Sequence, residues 1–137
     1  VMLFNLSKLK KIGFFDEKYF LYFEEQDLFF KCKKNNLKTF FISSINIKHL
    51  RASSVSQNIE NLPYLRTWHY MWSMFYFYKK NFSYITAIKK TIFLLIKDIF
   101  MLLIFLVIFN IKNSKYRFYR IYGVITSVIG LKSFLRP

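Results

Sequence analysis

A chain of 137 residues has room for one modest domain with its own core, and its 54% hydrophobic content, with 18 Phe and 10 Tyr, excludes a disordered polymer. A net charge of +15 points to an anionic partner, and a single cysteine, Cys32, excludes an internal disulfide and any zinc site built from thiolates. The charge is uneven: residues 1–60 carry ten Lys/Arg against six acids, whereas residues 61–137 carry twelve against Asp98 alone.

The first residues, Val1–Leu9, lack the basic leader and long apolar core of a cleavable signal peptide, and Val1 opens in mid-pattern, as a truncated start would. Ser7 is placed to cap a short helix over Lys8–Ile12, with Gly13 closing it in a left-handed conformation. Five of the seven acids then fall in one window: Asp16, Glu17, Glu24, Glu25 and Asp27. A buried, extended Tyr19–Phe23 segment is expected to lead straight into a helix over Glu24–Asn35. Carboxylates gathered this way serve as a general base, meet a metal-bound substrate, or simply complement the positive end of a helix dipole.

Within that helix Leu28 and Cys32 lie one turn apart and face inward, while Lys31, Lys33 and Lys34 take the solvent side. Asp27 and Lys31 are spaced for an ion pair, and Asn35-Asn36 supplies the stop. Lys38–Ile42 reads as a short strand and Ser43-Ser44 as a bend. Alternation then places Ile45, Ile47 and His49 on one strand face, before the polar loop Arg51–Gln57. A lone His on an apolar face is ordinarily a satisfied core residue, yet this one ends a strand beside a loop, where chemistry collects.

In the second half, Pro63 suits the first turn of a helix over Tyr64–Lys80, whose Leu65, Trp68, Met71, Trp72 and Phe75 recur at steps of three and four. Its Trp/Tyr content fits a membrane interface or a core helix, with Arg66 and His69 as candidates to face a cleft or lipid headgroups. Ile92–Phe109 is the most apolar stretch, broken by Lys97-Asp98, a pair that is costly inside lipid. It is expected to lie in the interface or against its neighbours, a single transmembrane helix at 92–109 being the alternative. Lys112–Arg120 mixes basic and aromatic residues without any nucleic-acid motif, so no nucleic-acid partner is expected. Ile121–Phe134 is a further helix-compatible segment.

Gly13, Phe15, Asp16, Glu17, Phe20, Tyr22, Glu24, Asp27 and Leu28, followed by His49 and the serines Ser53 and Ser54, stand in an order that resembles the C-terminal half of family 2 glycosyltransferases, the rhamnosyltransferase-like members in particular. Glu25 stands where that family usually has Asp. The resemblance implies an α/β fold: residues 1–60 as the C-terminal half of a GT-A domain, with residues 61–137 as a basic, membrane-associated helical extension. It implies Glu25 as catalytic base with Glu24 as alternate, and Asp16, Glu17 and Asp27 at the acceptor. It further implies His49 at the metal-diphosphate of the donor, with Arg51 and Ser54 as possible phosphate contacts.

The implied reaction is inverting transfer from a nucleotide-sugar donor to a saccharide or lipid-linked saccharide, with a divalent metal (Mg or Mn). No Asp-x-Asp pair or Gly-rich phosphate loop is present, so the nucleotide-binding strands and most metal ligands are expected upstream of Val1, and the piece alone is expected to be inactive. The membrane surface is the expected location, peripheral and on the cytoplasmic face. Glu24, Glu25 and His49 are expected to converge on one cleft. The rival class is a basic, membrane-associated helical protein without catalysis, which accounts for the charge and the apolar helices but not for the clustered acids.

Overall fold

The computed structural model describes residues 2–46 and 61–135, and among them every regular element is a helix. Five helices follow in order: α1 (Leu6–Ile12), α2 (Glu24–Lys34), α3 (Leu62–Asn81), α4 (Tyr84–Val107) and α5 (Ile111–Val128). The expected α/β architecture is therefore corrected, because no strand occurs among the described residues. Lys38–Ile42 is β-prone by composition, but strand propensity expresses itself only through pairing with a neighbour. No such neighbour is described, and the segment is irregular, with Phe40 and Phe41 turned out to solvent. Ile45 is likewise exposed and outside any element, while Ile47, His49, Arg51, Ser53 and Ser54 lie outside the described residues.

The fold is centred on α3. Ten of its residues are buried, among them Trp68, Met71, Trp72, Phe75 and Phe77, so its aromatic pattern marks a core helix and not the interfacial one that its Trp/Tyr content also allowed. Two hairpins follow from short connections. Ser83 turns the chain into α4 by accepting from the Thr86 N–H at 3.0 Å, and Asn110 turns it into α5 by accepting from the Asn113 N–H. Met71, Met74 and Phe75 of α3 meet Ala87 of α4 and Val124 of α5 in one apolar cluster. After Gly130, whose φ of 82° ends the last helix, the chain returns along α3. There Trp72 Nε1 donates to the Leu131 carbonyl at 3.0 Å and His69 Nε2 to that of Leu135 at 2.8 Å. His69 is 1% exposed and also meets Ser133 through Nδ1, so it is a core residue, not a ligand for headgroups.

α4 joins the bundle through a buried ion triad. Asp98 is 1% exposed, and its two carboxylate oxygens each accept at 2.7 Å, one from Arg117 Nη1 and one from Arg120 Nε. The acid that seemed costly in lipid thus faces α5, with Lys97 exposed on the other side. No helix among the described residues is long and apolar enough to cross a membrane.

Local readings at the start of the chain shift by small amounts. Asn5, not Ser7, caps α1, accepting from the Lys8 N–H, and Ser7 donates to that same Asn5 oxygen. Gly13 has φ 81° but ψ 154°, a region closed to other residues rather than the left-handed helical one. Asn36 does take a left-handed conformation, φ 54°, at the end of α2.

α5 approaches α3 where Gly123 lies against the Trp68 backbone. A Cβ at Gly123 would run into the Trp68 carbonyl oxygen and come within 3.3 Å of Met71 Cβ. Neither neighbour is a flexible chain end, so the helices would have to part. Gly123→Ala is expected to destabilise the protein by about 1–3 kcal/mol, read as a lowered urea midpoint; an unchanged midpoint would show that the two helices do not meet as closely as described.

Candidate functional site

The acidic window folds into a loop and the first turn of α2, and both are fastened to the end of α3 by one side chain. Lys80 Nζ donates to Asp16 Oδ2 at 2.7 Å and to Asp27 Oδ2 at 2.7 Å. Asp27 is fully buried, and its other oxygen accepts from Asn81 Nδ2 at 2.8 Å and meets the Tyr19 hydroxyl at 3.5 Å. Asp16 also accepts from the Tyr76 hydroxyl at 2.9 Å and from the Lys18 N–H at 3.0 Å. The Tyr19 and Tyr76 rings meet edge to face at 5.0 Å beside the ammonium. The anticipated Asp27–Lys31 pair is present but long, 3.9 Å, and Lys31 donates instead to the Phe14 carbonyl at 2.8 Å.

The backbone entering α2 is not the expected buried, extended run. Tyr22 and Phe23 both have positive φ, 67° and 68°, and of Tyr19–Phe23 only Tyr19 is buried. Left-handed backbone at a bulky residue costs on the order of 1–3 kcal/mol, and surrounding contacts hold it. The Phe23 ring lies 5.5 Å from both Tyr70 and Phe77, Tyr22 packs on Tyr70, and Ser73 Oγ donates to the Leu21 carbonyl at 2.9 Å.

Electrostatics follow the geometry. Burial alone would raise the Asp16 carboxyl, but hydrogen bonds from Lys80, the Lys18 N–H and Tyr76 outweigh it and hold the group below its ordinary value of 3.8. Burial would lower Lys80, yet its bonds to Asp16 and Asp27 win and raise it above 10.5. Tyr19 is raised by burial first and then by the neighbouring carboxylates, and Tyr76 by burial and its bond to Asp16.

The acids thus separate into two sets. Asp16 and Asp27, expected at an acceptor, are joined through Lys80 and are taken up in holding the loop and α2 to α3. Glu17 and Glu25 are exposed. Glu24 is half-buried, and its Oε2 is shielded from solvent with no hydrogen-bond partner among the described residues. An ammonium already sits between the two aspartates where a cation would be held, so this pair does not fit a divalent metal. No group of three or more His, Cys, Asp or Glu among the described residues could hold one. His49, Arg51 and Ser54, and with them the expected convergence of Glu24 and Glu25 on His49, lie outside the described residues.

Sequence reasoning missed Lys80, Tyr76 and Asn81. The only signal was that Asp27, placed near an inward-facing Leu28, needs a counter-ion; with 22 Lys/Arg in the chain, nothing in the spacing selects Lys80. Comparison with known proteins gives no match: no family model, no curated protein and no solved structure resembles the chain significantly.

The network sets a pH window for stability. Asp16, with its folded value lowered, contributes above 3.8 and loses that contribution as pH falls through the folded value. Lys80, with its folded value raised, contributes fully below 10.5 and loses it as pH rises through the folded value. Lys80→Met is expected to lower stability at neutral pH by about 2 kcal/mol, less than for a fully buried pair because the lysine is partly solvated. It is also expected to flatten the dependence on both flanks. Urea unfolding across pH checks this; a variant with the wild-type profile would mean that the network is not formed.

Proposed function

We propose that this chain is the acceptor-side part of an inverting glycosyltransferase, with the Glu24-Glu25 pair supplying the base and Glu25 the carboxylate that acts. The observation that carries the reading is the division among the acids. Lys80 takes up Asp16 and Asp27, which leaves two carboxylates on the first turn of α2 that form no ion pair among the described residues. A general base has to be anionic, reachable and rigidly mounted. Glu25 is exposed on a helix start whose approach is fixed by the Tyr22–Phe23 turn and whose Asp27 is anchored to α3.

The chemistry such a carboxylate performs is simple to balance. An acceptor hydroxyl oxygen attacks the anomeric carbon, its proton passes to the carboxylate, and the nucleoside diphosphate departs with the electron pair of the broken bond. Glu24, half-buried beside it with Oε2 shielded and no hydrogen-bond partner among the described residues, shapes the acceptor side of the site. The resemblance of the acidic segment to family 2 enzymes supports this assignment.

A second reading, the non-catalytic helical protein, is favoured by one specific fact: the two aspartates of the acidic window serve an ion network that stabilises the fold. The readings part on a sugar-transfer assay of the protein expressed from its complete natural reading frame. Glycosyl transfer predicts that Glu25→Gln lowers kcat by about 100-fold or more with little change in KM, and that Glu24→Gln chiefly raises acceptor KM. No transfer from any nucleotide sugar, or full activity in both variants, would leave the non-catalytic reading standing.

A further inference from the structure

α4 is covered on one side only. Ala87, Thr91 and Asp98 face the bundle, and the opposite side carries Phe93, Ile96, Phe100, Leu103 and Val107 at helical spacing, all exposed. The row continues past the end of the helix into Phe109, which is 87% exposed, with Phe93 at 79% and Val107 at 76%. Isolated apolar residues on a surface are ordinary, but a row running from Phe93 to the end of the helix, about 21 Å, marks a contact surface. At its far end the hairpin between α4 and α5 opens an apolar groove of about 430 Å³, lined by Leu106, Phe109, Ile111 and Phe118 with Lys115 beside them.

We infer that this face of α4 docks on an anionic lipid bilayer, lying flat in the headgroup region with Phe93, Phe100 and Val107 pointing into the acyl chains. Charge decides the occupant. Lys89, Lys90 and Lys97 are exposed on the same helix. Residues 61–137 hold a single acid, Asp98, which is buried on the opposite side and already meets Arg117 and Arg120. A second copy laid on this face would therefore bring lysines together with no acid to offset them. An anionic leaflet satisfies both the apolar row and the lysines, whose stems can lie along apolar surface while their ammonium groups reach phosphate. Apolar residues confined to one side, with cations beside them, are the pattern of a helix lying in the interface plane. The groove at the hairpin extends the apolar surface and gives an acyl chain a place to enter. The inference stands apart from the role of Glu25.

The test is co-sedimentation of the complete chain with vesicles of phosphatidylglycerol and phosphatidylcholine in equal parts. The wild type is expected to bind, to bind phosphatidylcholine alone more weakly, and to be released only in part by high salt. Phe93→Ser with Phe100→Ser, both at exposed positions, is expected to lower the partition coefficient by ~10-fold or more while the helical circular dichroism stays unchanged. Lys89→Gln, Lys90→Gln and Lys97→Gln together are expected to remove the preference for the anionic lipid. Three results would overturn the inference: a wild type that does not sediment with vesicles, one that binds both lipids equally, or one in which the serine pair only abolishes a dimer seen by analytical ultracentrifugation.

Discussion

One ammonium group ties the two parts of this structure together. Lys80, in the last turn of α3, reaches both Asp16 in the loop after α1 and Asp27 inside α2. A fully buried carboxylate is tolerable only when its charge is matched and its oxygens are hydrogen-bonded. Asp27 meets both conditions through Lys80 and Asn81, two consecutive residues at the end of one helix. Because both donors come from α3, satisfying Asp27 fixes where α2 sits. That in turn fixes the direction in which the first turn of α2, with Glu24 and Glu25, is presented.

A related solution recurs in the second half. Asp98 holds α4 to α5 through two arginines, one oxygen to each. In both places an acid in a strongly basic chain is drawn inward and used to fix the relation between helices, and the excess of cations remains outside. Three of the chain's seven acids, Asp16, Asp27 and Asp98, are placed where each meets more than one donor. This placement also leaves the outward face of α4 without any anion, so that the apolar row and the lysines share one side of the molecule.

Much of the helical content was legible. The α2 pattern, with Leu28 and Cys32 inward, acids first and lysines last, appears as read, because a helix dipole and a period of 3.6 act locally. The second half was legible as helices, but not the side that α3 presents: Trp68 and Trp72 fit an interface as well as a core, and only packing against α5 at Gly123 decides. The strand expected at Lys38–Ile42 was not legible at all, since a β-prone segment becomes a strand only where a partner lies beside it. Asp16 and Asp27 were visible as candidates, but their use was not. Their partners, Tyr76, Lys80 and Asn81, lie more than fifty residues away, and no local periodicity records a contact at that distance. The left-handed pair Tyr22–Phe23 was hidden for a related reason: nothing in a bulky aromatic signals positive φ, and the contacts that enforce it come from Tyr70, Ser73 and Phe77 of α3.

The most direct test of this account is a double-mutant cycle between Asp27 and Lys80, with Asp27→Asn, Lys80→Met and the pair measured by urea unfolding at neutral pH. If Lys80 is the group that makes a buried Asp27 tolerable, the two changes are strongly non-additive, with a coupling of about 1–3 kcal/mol. The double variant is then less damaged than the sum of the single ones. Additive losses would mean that the ammonium does not meet this carboxylate, and the fixed presentation of Glu24 and Glu25 would lose its physical basis.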